Sequence, residues 1–338
     1  MTVLLVGMQE SLLVVRSTPS DWQTLEKLRG KSPQCVAFDQ IHHDICYCGT
    51  FGDGLWKSTD SGDTWKPVGK GVSHKEVMSV SVSQNERVNE NGVVYTGTEP
   101  SSLFRSEDGG KTWLEQKSLR ALRSSSEWSF PPRPHTSHVR WIALDPFSPG
   151  QIYLCIEAGA LVRSSDGGKT WTDRVASGPF DTHVLMAHAR ARGRLYSSAG
   201  DGYFESFDCG KSWKRLMTGL KHRYLYGLAV DPEDPELVVV SAASGPYEAH
   251  NPKAADSFVY SKKKGEEWEL SQKGLGEPAG TIISMLASDP KKHGGFFAAN
   301  NKGVYSSADG VLWERVELEW PKAYLAQHPW GIAVRNGS

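Results

Sequence analysis

The sequence predicts an all-β chain folded as a seven-bladed β-propeller of four-stranded antiparallel blades, closed by a C-terminal strand that joins the N-terminal blade. Three observations predict it. An eight-residue pattern recurs along the chain, a constant order of short strands precedes each copy, and the two chain ends each hold part of one missing unit. The 338 residues are expected to form one domain, 1–338, since closed all-β folds commonly run this long as one unit.

The pattern is S-x-D-x-G-x-[TS]-W. It stands in full at Ser58-Thr-Asp-Ser-Gly-Asp-Thr-Trp65, Ser106-Glu-Asp-Gly-Gly-Lys-Thr-Trp113, Ser164-Ser-Asp-Gly-Gly-Lys-Thr-Trp171 and Ser206-Phe-Asp-Cys-Gly-Lys-Ser-Trp213. Two worn copies follow at 261–268, with Lys263 in place of Asp, and at 306–313, with Ala308 there; a shortened form stands at 17–22. The octet reads as a hairpin turn. The Asp carboxylate accepts from backbone N–H groups of its own turn, the Gly takes a left-handed conformation that a Cβ opposes, and the Trp opens the next strand and buries its ring between units.

Each octet follows two or three strands in the same order. In the fourth unit an inner strand runs over 138–145, a second over 151–156 and a third over 160–164. The same frame fits from Gln34, Glu76, His183, Tyr224 and Ile282, giving six complete units. The seventh is split: 3–6, 12–16 and the stretch from Asp21 supply three strands, and 331–334 supplies the inner one. Such closure removes the free sheet edge that would otherwise invite mispairing. Segments 119–137 and 247–257 break the rhythm as long loops, the kind that carries function in a compact repeat fold or that drifts as surface excursion.

In these octets the chain resembles the BNR/Asp-box repeat propellers over nearly its whole length. That superfamily includes sialidases, sortilin-type domains and a photosystem assembly factor, and it is often labelled glycosyl hydrolase-like. The resemblance implies a glycosidase- or lyase-like enzyme on a small or carbohydrate substrate. The alternative it leaves open is a non-catalytic scaffold binding a ligand or protein partner, and a third is a metal-dependent enzyme on a small non-sugar molecule. Sialidases resemble one another in an early F/Y-R-I-P motif and an arginine triad. Here the nearest string is Phe130-Pro-Pro-Arg133, so a true sialidase is not expected.

Composition narrows the partners. With 38 basic and 39 acidic side chains the formal charge is -1, against nucleic acid, which needs a basic stripe, and against an anionic membrane surface. No apolar run approaches the roughly 20 residues of a spanning helix, and no signal peptide is visible. Five cysteines without C-x-x-C spacing predict a reducing, cytoplasmic setting rather than a disulfide framework. Cys46 and Cys48 share a strand face, as two buried hydrophobes or as a soft-metal pair.

Strand order places the candidate site. Inner strands start, and second strands end, on one face, here called the top; the octets lie on the bottom, so Asp60, Asp108, Asp166 and Asp208 are structural. The top face collects Glu76, His138 and His183 at inner-strand starts and Glu99 and Glu157 at second-strand ends, with Arg140, Tyr224, Tyr226, Gln327 and His328 around the rim. Trp128, Arg133 and His135 of the long insertion are expected to fold over the mouth. Glu99, Glu157, Arg140 and Tyr224 are the catalytic candidates, because two carboxylates can divide acid and base work. His138, His183 and Glu76 are the metal candidates, a donor set suited to one divalent ion. The plainer reading of each histidine is a hydrogen-bonded rim residue.

Overall fold

Seven antiparallel sheets surround one axis in the computed structural model of the protein, which describes residues 1–336. Blade 1 is composite. Its strands run in the order Pro329–Asn336, Thr2–Met8, Leu12–Ser17, Trp22–Lys27 from axis to rim. Blades 2 to 7 start with the inner strands Pro33–Phe38, Glu76–Val88, Val139–Leu144, Thr182–Ala187, Tyr224–Val230 and Met285–Ser288. In blade 4 the outer strand shrinks to one bridge between Arg163 and Thr172.

The closing strand pairs with Thr2–Met8 from Thr2–Asn336 through Gly7–Gly331. Its ladder satisfies backbone groups that would otherwise form an open edge, and Ile332 and Val334 add apolar contacts to the core. The pairing is longer than the four residues the sequence suggests, because Arg335 and Asn336 extend it at one end and Pro329, past a bulge at Trp330, at the other.

The octet turns are built as their residue types require. In blade 2, Ser58 Oγ accepts from Gly62 N at 2.8 Å and donates to Asp60 Oδ1, which in turn accepts from Thr64 N at 2.8 Å. Asp108, Asp166 and Asp208 repeat the arrangement with Thr112, Thr170 and Ser212. Gly62, Gly110 and Gly168 hold φ of +92°, +91° and +90°. The octet tryptophans seal blade to blade: Trp113 Nε1 donates to Val68 O of the preceding blade at 2.7 Å and Trp268 Nε1 to Leu216 O at 3.0 Å. Each such ring removes some 150–250 Å² from water, on the order of 4 kcal/mol of burial.

The seventh-blade turn corrects the sequence reading. It is one residue shorter and intact: Ser307 Oγ accepts from Gly310 N, and Asp309 Oδ1 accepts from Val311 N and Leu312 N at 2.8 and 2.9 Å. Ser307 and Asp309, rather than Ser306 and Ala308, carry it. In blade 6 the copy is worn as expected, and the adjacent Lys262 turns inward to Glu205 at 3.0 Å.

Both long loops carry helical turns. The first holds the 3₁₀ segments Lys117–Ala121 and Arg123–Glu127, the second the short helix Pro246–His250. The five cysteines are free thiols. Cys46 and Cys48 pack in the core between blades 1 and 2, and burial pushes the Cys46 thiol up to about 12, as two buried hydrophobes would be. No helix among the described residues is long and apolar enough to cross a membrane.

Candidate functional site on the top face

A repeated backbone irregularity aims side chains at the axis. Near the top of the inner strands the ladder register slips by one residue, at Gln34 in blade 2, Met78 in blade 3, Arg140 in blade 4, His183 in blade 5, the Tyr226–Gly227 pair in blade 6 and Trp330 in blade 1. A bulge adds an unpaired residue and re-aims its side chain. Gln34, Met78, Arg140, Tyr226 and Trp330 thereby line one top-face cavity of 600 Å³. Gln34 and Trp330 also border a second cavity of 340 Å³ further along the axis.

One wall of the top cavity is a chain of charge. Arg133, from the long insertion, grips Glu99 through Nε and a terminal nitrogen, both at 2.6 Å. His138 stands between two carboxylates: Nδ1 lies 3.3 Å from Glu99 Oε2 without hydrogen-bond alignment, and Nε2 lies 2.7 Å from Glu157 Oε2. Arg140 Nε lies 3.6 Å from the same Glu157 oxygen, while its terminal nitrogen donates to Tyr226 Oη at 2.8 Å. Burial disfavours charge on Glu157, but His138, His183 and Arg140 outweigh it and hold its carboxyl well below the usual range. Burial likewise opposes charge on Glu99, yet Arg133 and His138 bring it to about 2. His138 is pulled both ways, down by burial and up by Glu157 and Glu99, and ends above the ordinary histidine value.

The other oxygen of Glu157 faces a second group of polar side chains. His183 is fully buried, and its Nδ1 bonds Leu225 O at 2.6 Å. Its Nε2 faces Glu157 Oε1 and Asp181 Oδ2, each at 3.7 Å, and Tyr224 Oη at 3.4 Å. Glu157, Asp181 and His183 thus offer one ligand atom each within 4.8 Å of one another, a buried polar cluster of a size that suits a metal ion or a polar substrate group. Burial pushes Asp181 above the usual carboxylate range; His183 opposes the shift and the nearby Glu157 charge adds to it. Space for the Asp181 carboxylate is left by Gly200, where a Cβ would stand 2.0 Å from Asp181 Oδ2. Beyond Tyr224 the polar chain continues through His250 to His328, with contacts of 2.8 and 2.7 Å. Burial, aided by His183, drives the His250 value down to about 3.

The residues singled out from sequence fall into three groups. Glu99, Glu157, Arg140, His138, His183 and Tyr224 converge, with Tyr226 and His328 at their side. Glu76 stands apart, opposite Glu99 in the blade 3 ladder and outside the cavity lining. In the insertion, Phe130 and Arg133 cover the mouth, Trp128 is buried below with its Nε1 on Ser124 Oγ, and His135 lies outside the lining. Gln327 instead accepts from Glu10 N at 3.2 Å. Sequence reasoning missed Asp181 and His250. Asp181 sits one residue before an inner strand, and only its place two residues ahead of His183 hints at a role. His250 is delivered by the helix within the loop that broke the repeat.

No family model matches the chain. It is 27% identical over 229 residues to the xyloglucanase Xgh74A of Acetivibrio thermocellus, a match covering 59% of this chain and 22% of that protein. The chain thus spans about a fifth of the length of the curated relatives it matches. Among solved structures, a GH74 enzyme of Niastella koreensis superposes with a TM-score of 0.69 at 18% identity, over 90% of this chain and 51% of that one. YCF48 bound to D1 peptide gives 0.57 at 18% identity, over 84% and 80%. These structural likenesses show the β-propeller fold.

Proposed function

We propose that the top-face cavity is the active site of a glycosidase- or lyase-like enzyme that cleaves a small carbohydrate with the help of one divalent cation. The observation that carries this reading is the convergence of Glu157, Asp181 and His183 at the edge of a 600 Å³ cavity that also presents Arg140 and the Glu99–His138–Glu157 series. A cation bound there supplies Lewis-acid polarisation of a substrate or water oxygen. The chain supplies the rest. Arg140 offers fixed positive charge where negative charge develops, His138 exchanges a proton with Glu157 along their 2.7 Å contact, and Phe130 and Trp330 give apolar walls for a sugar ring. The octets, which resemble Asp-box repeats, and the sequence similarity to a xyloglucanase over 59% of the chain both favour a carbohydrate substrate.

The test is turnover on a panel of neutral and uronate-containing oligosaccharides, with and without added Mn²⁺, Zn²⁺ or Ca²⁺, read by mass spectrometry. Hydrolysis adds one water across the broken linkage; elimination gives an unsaturated fragment of unchanged summed mass. Cation-stimulated cleavage that disappears in Glu157→Gln supports the reading. Absence of cleavage across the panel under every cation condition counts against it. The second reading is a binding scaffold, favoured by the apolar Phe51, Pro131, Pro132, Pro246 and Pro252 in the same lining; it predicts oligosaccharide binding without cleavage.

A further inference from the structure

Hydrogen-bond directions around Tyr224 are dictated from both ends by backbone carbonyls, which can only accept. At one end Pro329 O accepts from His328 Nδ1 at 2.7 Å, so His328 Nε2 carries the lone pair. That nitrogen accepts from His250 Nδ1 at 2.7 Å, so His250 Nε2 is the acceptor in turn. His250 Nε2 then takes the Tyr224 O–H at 2.8 Å. At the other end Leu225 O accepts from His183 Nδ1 at 2.6 Å, leaving the lone pair of neutral His183 on Nε2. The Tyr224 proton therefore points away from His183, and its oxygen meets His183 Nε2 with lone pairs only, at 3.4 Å. Glu157 Oε1 and Asp181 Oδ2 complete the group around that nitrogen.

With His183 neutral and Asp181 ionised, the state a bound cation would select, four electron-rich atoms face one another with no hydrogen between them. Mutual repulsion in a buried setting is relieved by a cation at their centre.

We propose that Tyr224 is the fourth donor of a cation site formed with Glu157, Asp181 and His183, and that His250 and His328 are positioning residues that keep its proton turned out of the site. The inference rests on the cation-assisted reading above and adds to it a ligand and a supporting chain. One imidazole with three oxygens suits a first-row divalent ion such as Zn²⁺ or Mn²⁺. The histidine pair plays the orienting part that outer partners take at metal centres, where their loss costs roughly 10–100-fold in affinity. Without His250 the Tyr224 hydroxyl is free to turn its proton into the site, so the phenol remains but its lone pairs are no longer held in place.

Calorimetric titration of Zn²⁺ and Mn²⁺ into the full chain tests this, together with ¹⁵N NMR of the histidine tautomers. Binding roughly tenfold or more weaker in Tyr224→Phe, and a comparable loss in His250→Ala with Tyr224 intact, are expected. His183, His250 and His328 are each expected to carry the proton on Nδ1 in the metal-free protein. Wild-type affinity in Tyr224→Phe, or an Nε2-protonated His250, overturns the proposal while the three-residue cation reading stands. A wild-type protein that takes up neither ion overturns both. Circular dichroism and a urea midpoint close to wild type show that each variant compared is folded.

Discussion

His138 Nε2 lies 2.7 Å from Glu157 Oε2, and that contact separates the two histidines that the sequence places in neighbouring blades. His138 spends its nitrogen on one carboxylate oxygen, while His183 keeps Nε2 turned toward the other. The pair should therefore split on mutation. His138→Ala leaves Glu157 buried without its hydrogen-bonded partner, at a cost of about 3 kcal/mol; a urea-unfolding loss below about 1 kcal/mol would speak against a buried ion pair. His138→Gln, which can still donate to Glu157, should recover much of that loss.

Gly200 gives a way to disturb the site without substituting a ligand. Its added methyl would overlap Asp181 Oδ2 at 2.0 Å, and a flexible carboxylate can swing aside. Gly200→Ala should fold with a melting temperature within a few degrees of wild type and bind Zn²⁺ or Mn²⁺ about tenfold more weakly. Unchanged cation affinity would remove Asp181 from the site.

The bottom turns make a prediction about acid. Hydrogen bonds from Thr64 and Thr170 hold Asp60 and Asp166 at about 2; burial opposes the same shift in Asp108 and Asp208, where Thr112 and Ser212 still win. Unfolded aspartate titrates near about 3.9, so the folded chain binds these protons less readily than the unfolded one. Their stabilisation is complete above that pH and fades as pH falls through about 2. Asp166→Ala should flatten the fall in thermal stability between pH 5 and 2 relative to wild type, measured by scanning calorimetry. A parallel pair of curves would contradict it.

Register in the last turn is open to the same approach. Asp309→Ala should cost about 1 kcal/mol, as loss of a carboxylate cap does, whereas Ala308→Ser should change almost nothing. Chemical denaturation distinguishes the two; equal effects would restore the unshifted octet.

Much of this was legible because turns and closure are written in residue types. The octets fix blade number and mark the bottom, and the strand order then puts Glu99, Glu157, His138 and His183 together on top. The bulges were not legible. Arg140, His183 and Tyr226 carry no local signature of an extra residue, and simple alternation along the strand misplaces every side chain above the slip. Asp181 and His250 were hidden for a related reason, since a loop residue's direction depends on contacts far away in sequence, here Ala158 N on Asp181 and His328 on His250. Glu76 shows the reverse error, a carboxylate that strand order puts on the top face and that the fold leaves outside the cavity lining.

Closure predicts the largest stability effect. Removing residues 329–338 strips the inner strand from blade 1, exposes the Thr2–Met8 edge and takes away Pro329 O and His328's partner contact. The truncated chain should lose cooperative unfolding and associate in solution, as seen by light scattering. A monomer with an unchanged melting curve would show that the ring closes without that strand.

Metal content of the untagged protein, by elemental mass spectrometry after incubation with Zn²⁺ or Mn²⁺ and desalting, tests the central claim most directly. The account predicts close to one equivalent in wild type and in His138→Gln, with loss in His183→Ala and Asp181→Asn. No retained metal in any form, or retention that follows His138 rather than His183, would contradict a cation site at Glu157, Asp181 and His183.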